Sequence, residues 1–156
     1  MVERRPGGGL RPLIMDFGLA RESGGDQNLT ESGAVMGTPA YMSPEQARGE
    51  ARHLDRRSDV YSLGATLYDV LVGKPPFQDQ TVVNILIKVM NEAPLPLRAH
   101  STAIPEPVEL IVSKCLNKEP AQRYPTALAL AEDIGRYLRA QSVMARRLSY
   151  SYRLLY

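Results

Sequence analysis

Residues 37–49 read Gly37-Thr38-Pro39-Ala40-Tyr41-Met42-Ser43-Pro44-Glu45-Gln46-Ala47-Arg48-Gly49. Ser43 is a suitable N-cap, Pro44 suits the first helical position, and Gln46 is the partner that a capping box requires. This stretch therefore predicts a short helix that begins after Ser43 and ends near Gly49.

The segments on either side of this stretch differ strongly in character. Residues 20–35 are polar and contain glycine without a helical or alternating period, which predicts a surface loop. Downstream, apolar residues recur with helical spacing from Val60 to Leu71, and Gly73 ends the pattern. This second helix is expected to open at Ser58-Asp59. Because Asp69 is the only formal charge between Val60 and Val72, the helix is apolar nearly all round, and we expect it in the middle of a helical bundle.

Three further amphipathic patterns predict helices with ordinary packing stripes. They cover Thr81 to Asn91 (stripe Val83, Leu86, Ile87, Met90), Pro107 to Leu116 (Val108, Ile111, Val112, Cys115) and Thr126 to Leu138 (Ala127, Leu130, Ala131, Ile134, Leu138). The proline-rich connection from Ala93 to Pro107 is expected to be a surface excursion. Near the N-terminus, Pro12 to Met15 predicts a strand, with Met1-Val2 as the stub of a hairpin partner. The fold class is therefore mainly α.

The composition of the 156 residues is that of an ordinary globular domain, with 44% hydrophobic and 23% charged residues. The 19 basic and 17 acidic side chains nearly balance, so we expect no nucleic-acid partner. Cys115 lies in an apolar helical pattern and is expected to be a core residue. No apolar run reaches the roughly 18 residues that cross a bilayer, and no signal peptide is evident. A cytoplasmic location is the expectation.

The order of three motifs carries a specific resemblance. Asp16-Phe17-Gly18, then Gly37 to Glu45, then Arg57-Ser58-Asp59-Val60-Tyr61-Ser62-Leu63-Gly64-Ala65 resemble the bacterial eukaryotic-type (Hanks-type) Ser/Thr protein kinases. The resemblance runs from about Pro12 to Leu138. It implies a protein-kinase-like C-lobe of the α+β superfamily, with a short β-hairpin remnant and about five helices. Residues 1–139 are then a partial protein kinase domain and residues 140–156 a basic amphipathic tail.

The resemblance assigns cofactor roles to the first motif. Asp16 is implied as the magnesium ligand beside ATP, Phe17 as the packing residue and Gly18 as the pivot. Read without the family, Asp16 would only cap a turn.

The resemblance also assigns substrate roles. Thr38 is implied to bond the catalytic Asp and Lys of the active state, and Met36 and Gly37 to shape the groove for a protein Ser/Thr substrate. Thr30 and Ser32 stand where related kinases carry autophosphorylation sites, although most loop hydroxyls are simply solvated.

The resemblance also gives structural roles to three charged residues. Glu45 is expected to form a buried ion pair with Arg123, the alternative being two solvated surface charges. Asp59 matches an aspartate that accepts backbone N–H bonds from the catalytic loop. It would also be a favourable anion in the first turn of a helix.

Several kinase elements do not occur in the 156 residues: a Gly-rich loop, a small-lobe Lys and Glu pair, and a catalytic-loop Asp and Asn. We expect that the chain starts just after the catalytic loop and is inactive alone. The resemblance also implies that elements N-terminal to this chain partly cover the central helix, so some of its apolar surface is expected to be exposed here. The partners expected are a protein substrate and the missing N-lobe with its catalytic loop, from the same gene or a split partner. The alternatives are a non-catalytic, pseudokinase-like binding module and a decayed remnant.

The tail combines basic and apolar side chains, with Arg146, Arg147 and Arg153 among leucines and tyrosines. Such a segment could lie on an anionic membrane surface, and a full-length parent would then be membrane-associated. The alternatives are a frayed extension of the last helix or a packed strap.

Overall fold

The computed structural model describes residues 2–5, 7–13, 38–50, 52 and 54–146. Residues 1–34 and 35–156 form two compact units. The first unit contains a hairpin in which β1 (Val2–Arg4) pairs antiparallel with β2 (Leu10–Pro12), so that Glu3 faces Arg11. The expected hairpin is present, but its second strand begins two residues before Pro12. Gly7 and Gly8 adopt φ values of +108° and +89°, which places the turn early and lets pairing start at Leu10.

The second unit contains six α-helices within the described residues. They are α1 (Pro44–Ala47), α2 (Arg56–Val72), α3 (Val82–Asn91), α4 (Leu97–His100), α5 (Glu106–Cys115) and α6 (Ala127–Leu138). Two 3-10 turns cover Pro39–Tyr41 and Pro120–Gln122. The mainly helical fold class is confirmed. The additional helix relative to the expectation is α4, which lies inside the proline-rich connection and buries Leu97.

The helix ends follow the capping residues of the sequence. At α1, the Ser43 N–H donates to Gln46 Oε1 (2.8 Å) and the Gln46 N–H donates to Ser43 Oγ (3.4 Å), so the predicted capping box is present. Helix α2 begins two residues before Ser58, because Asp55 accepts a bond from the Arg57 N–H (2.8 Å) and serves as N-cap. It ends at Gly73, whose φ is +80°.

Helix α2 is the centre of the core. Its two sides contribute to separate buried clusters, and α5 joins both of them. The first cluster holds Tyr61, Ala65, Tyr68, Leu97, Ile104, Val112 and Leu116; the second holds Val60, Ile111, Cys115, Tyr124, Leu130 and Ala145. A Cβ atom at Gly64 would overlap the Cβ of Cys115, so glycine permits the close approach of α2 and α5. The core position predicted for Cys115 is confirmed, and burial raises the pKa of its thiol to about 12.

The amphipathic stripes are only partly buried. Along α5 the predicted stripe lies inward, but on α3 Val83 and Ile87 are exposed and Val89 is the buried residue. The reason is that α3 lies against α1 and the Pro39–Tyr41 turn, a contact that turns Val89 inward. On α6, Leu130 is buried whereas Leu138 is exposed.

Part of the apolar surface of α2 faces solvent, as expected. Val70 is 77% exposed, and Leu63 and Leu71 are each more than two-fifths exposed. Within the described residues, no helix combines the length and apolar character needed to span a membrane.

Candidate functional site

The structure describes four of the predicted site residues: Thr38, Glu45, Asp59 and Arg123. The other seven lie outside the described residues, namely Asp16, Phe17, Gly18, Thr30, Ser32, Met36 and Gly37. The predicted loop at 20–35 and the tail from 147 onward lie outside them as well. Among the residues that are described, no group of three or more His, Cys, Asp or Glu side chains could hold a metal ion. The expectation of magnesium and ATP therefore rests on Asp16 in the sequence.

Thr38 is the first of the predicted site residues that the structure describes. It is exposed, and its carbonyl accepts the Tyr41 N–H (3.1 Å) at the start of the Pro39–Tyr41 turn. Its side chain makes no capping hydrogen bond. The backbone at Thr38 is thus fixed, and its hydroxyl is not used to cap the turn.

Two hydrogen bonds attach the Pro39–Tyr41 turn to α2. The Tyr41 hydroxyl donates to Asp69 Oδ2 (2.7 Å), and the Ser62 hydroxyl donates to the Tyr41 carbonyl (2.9 Å). The bond to Asp69, followed by burial and the negative charge of Asp69, raises the pKa of Tyr41. Tyr41 is therefore a neutral phenol that links the turn to the central helix.

The structure brings Glu45 and Arg123 together across 78 residues of sequence. Arg123 Nη1 lies 2.7 Å from Glu45 Oε1, and Nη2 lies 2.8 Å from Oε2, so the ion pair is bidentate; both residues are buried. The Ser58 hydroxyl also donates to Glu45 Oε1 (2.7 Å). The pair joins α1 to the turn before α6, and the bonds to Ser58 and to the Arg57 carbonyl attach it to the first turn of α2.

Arg123 uses all of its donors. Its remaining N–H groups bond the carbonyls of Asn117 (2.7 Å), Arg57 (3.0 Å) and Lys118 (3.0 Å). A guanidinium group has five N–H donors, and each has a partner here. The group also lies 5.0 Å from the centre of the Tyr61 ring, a cation–π distance.

The Glu45 carboxyl is held in its charged form. Burial alone would raise its pKa, but the hydrogen bonds from Arg123 and Ser58 outweigh burial and lower the pKa to about 2. The segment that follows Thr38 is therefore held by a buried ion pair at any ordinary pH.

An exposed threonine thus begins a segment that hydrogen bonds fix to the central helix and that a buried glutamate fixes to a distant arginine. The protein kinase domain model matches residues 10–134 of this chain. The chain belongs to the protein kinase family.

Bacterial Ser/Thr kinases are among its relatives. Serine/threonine-protein kinase PknB of Mycobacterium leprae is 42% identical over 123 residues, which is 79% of this chain and 20% of that protein. The protein of the same name from Mycobacterium tuberculosis is 43% identical over 124 residues, with the same coverage. That of Mycolicibacterium smegmatis is 44% identical over 131 residues, 83% of this chain and 20% of the relative. The chain thus spans about a fifth of the length of these kinases.

The role that the resemblance gives Asp59, accepting N–H bonds from a catalytic loop, stays a prediction, because no such loop is among the residues that the structure describes. Asp59 lies in the first turn of α2, is exposed, and accepts no hydrogen bond from any part of the chain that the structure describes. What the structure shows is a carboxylate near the positive end of a helix, which stabilises the helix modestly.

Lys118 is a residue that the sequence reasoning missed. Its Nζ donates to the Val89 carbonyl at the end of α3 (2.5 Å) and lies 4.3 Å above the Phe77 ring. Burial, then the charges of Arg123 and Arg48, lower its pKa to about 7. A single lysine in a polar turn gives no periodic signal, so its burial could not be read from the sequence.

Proposed function

We propose that this chain supplies the part of a Ser/Thr protein kinase that holds the protein substrate while the γ-phosphate of ATP is transferred to it. Phosphoryl transfer depends mainly on positioning and electrostatic stabilisation. The single observation that carries the proposal is the buried pair of Glu45 and Arg123, because it fixes the segment that presents Thr38.

Thr38 is the residue that contacts the reacting groups in this proposal. It is exposed, its hydroxyl is free of capping bonds, and the turn after it is tied to α2 through Tyr41. A hydroxyl held in this way can donate to or accept from neighbouring catalytic groups without the backbone having to reorganise.

An open cleft beside the same turn would receive the substrate chain. It has a volume of about 510 Å³ and is lined by Ala40, Pro75, Phe77 and Ile85, with Asp79 at its polar side. Asp79 is paired with Lys88 (2.9 Å), so the polar side is nearly neutral. The lining favours an apolar substrate side chain near the acceptor hydroxyl.

Asp16, Phe17 and Gly18 complete the proposal as the magnesium and ATP motif. Bound magnesium would neutralise charge on the nucleotide phosphates, and Asp16 would be its ligand from this chain. The 156 residues contain no Gly-rich loop and no catalytic Asp and Asn, so this polypeptide alone should not transfer phosphate.

The test is a chimera in which residues 10–146 replace the matching part of the Mycolicibacterium smegmatis relative. We expect the chimera to phosphorylate a generic Ser/Thr protein substrate and the isolated chain not to do so. Thr38→Ala should lower the chimera's rate by at least about tenfold. Thr102→Ala, at an exposed turn far along the chain, is the matched control and should leave the rate unchanged.

A chimera that melts like the parent kinase but transfers no phosphate would contradict the proposal. That result would instead favour the alternative of a non-catalytic binding module.

A further inference from the structure

The chain turns back on itself after α6. Ala140 adopts a left-handed conformation with φ of +54°, and the Gln141 N–H donates to the Arg136 carbonyl (2.9 Å). Residues 141–146, which we name the C-terminal strap, then run back along α6. Ala145 of this strap is buried in the second core cluster, and Val143 packs partly against it.

One carboxylate holds the strap in place. Asp133, on α6, is 1% exposed and accepts the backbone N–H groups of Met144 (2.5 Å) and Ala145 (2.9 Å). It also accepts the Tyr124 hydroxyl (2.6 Å). Within the described residues, positions 142–146 make no hydrogen bonds other than the two to Asp133.

The surroundings keep this carboxylate charged. Burial alone would raise its pKa, but the bonds from Met144, Tyr124 and Ala145, with the charge of Lys114, lower it. Hydrogen bonds to a charged group are about twice as strong as bonds between neutral groups. Asp133 is therefore a strong acceptor for a short segment that has few other attachments.

We propose that Asp133 is the latch of the C-terminal strap, which opens and closes locally while the rest of the lobe stays folded. Opening exposes Asp133 to water, and water can then replace the two lost backbone donors. Two apolar side chains of the strap are anchored in the core, with Ala145 buried and Val143 partly buried. Segments with few buried contacts open at a lower free energy than the core. The latch thus controls whether residues 141–146 are held against α6.

Amide hydrogen exchange of the full 156-residue chain tests this proposal. In the wild type, the Met144 and Ala145 amides should exchange at least about tenfold more slowly than in an unstructured peptide. They should nevertheless exchange faster than the amides of residues 111–115 in α5. Asp133→Asn should speed the exchange of both strap amides at least about tenfold and leave residues 111–115 unchanged.

Glu132→Gln is the matched control, because Glu132 is the exposed neighbour on α6 and loses the same charge. It should leave the strap protected. Tyr124→Phe, which removes one of the three bonds, should accelerate strap exchange less than Asp133→Asn does. The proposal is overturned if the wild-type strap amides are unprotected, or if they exchange together with residues 111–115. The wild-type comparison decides the question even if Asp133→Asn does not fold.

Discussion

Replacing Glu45 with alanine is the sharpest test of how this lobe is held together. The substitution leaves the Arg123 guanidinium buried without its carboxylate, and it removes the acceptor of the Ser58 hydroxyl. Three carbonyl partners of Arg123 remain, at residues 57, 117 and 118, so its charge keeps polar neighbours but loses its counter-ion.

The expected cost follows from that environment. Breaking a buried ion pair by removing one partner costs about 3–5 kcal/mol, because an uncompensated charge stays behind. Were Glu45 and Arg123 solvated instead, the cost would be about 0–1 kcal/mol. Since both residues are at most 3% exposed, the larger figure applies. For a chain of this size, it corresponds to a melting temperature lower by about 10 °C.

Urea unfolding at pH 7, followed by circular dichroism, measures this change in the free energy of unfolding. Glu119→Ala is the matched control, because Glu119 lies in the same turn as Arg123 and is exposed. It should change the free energy by less than about 0.5 kcal/mol. If Glu45→Ala were as stable as that control, the pair would be a surface feature and our reasoning would be wrong.

Three further predictions concern pH and packing. Glu45 has a pKa of about 2 when folded and 4.5 when unfolded, so the stability that it contributes should be present above pH 4.5 and lost as the pH falls toward 2. Measuring the free energy of unfolding across this pH range checks the prediction, and Glu45→Ala should lack the loss. Lys118 has a folded pKa of about 7, below its unfolded value of 10.5, so stability should rise from pH 7 to 9, and Lys118→Met should flatten that rise in urea titrations. Gly64→Ala should destabilise the lobe by about 1–3 kcal/mol through overlap with Cys115, whereas Gly135→Ala meets only the flexible end of a side chain and should be neutral or stabilising, as thermal melts of the two variants would show.

The helices could be predicted because their signals are local. Ser43 was predicted as an N-cap, and periodic patterns were predicted to begin at Thr81 and Thr126; the structure uses all three residues as N-caps. Helix α4 gave no such signal, since it has four residues and no side-chain cap. Which face of α3 is buried could not be predicted either, because the answer depends on where α1 and the Pro39–Tyr41 turn lie.

The residues of the candidate site likewise divide into those that could be expected from the sequence and those that could not. The contact between Glu45 and Arg123 was expected only from the family resemblance, since no local pattern relates residues so far apart in sequence. Lys118 was missed because it is a charged residue in a polar turn, and Asp133 because it is a charged residue outside the predicted apolar stripe of α6. Their burial follows from long-range contacts, namely Val89 with Lys118 and the C-terminal strap with Asp133.

A buried ion pair is weak evidence for stability by itself, since well-packed apolar residues can often replace one at no cost. The geometry here argues against such a replacement, because Arg123 also satisfies the carbonyls of Arg57, Asn117 and Lys118. An apolar side chain would remove these donors from part-buried carbonyls, and a buried carbonyl left unsatisfied costs about 1–3 kcal/mol. Arg123 thus joins the start of α2, the turn before α6 and the Thr38 segment through one planar group. The pair therefore positions the proposed substrate segment, and its stabilising effect is a consequence of the same bonds.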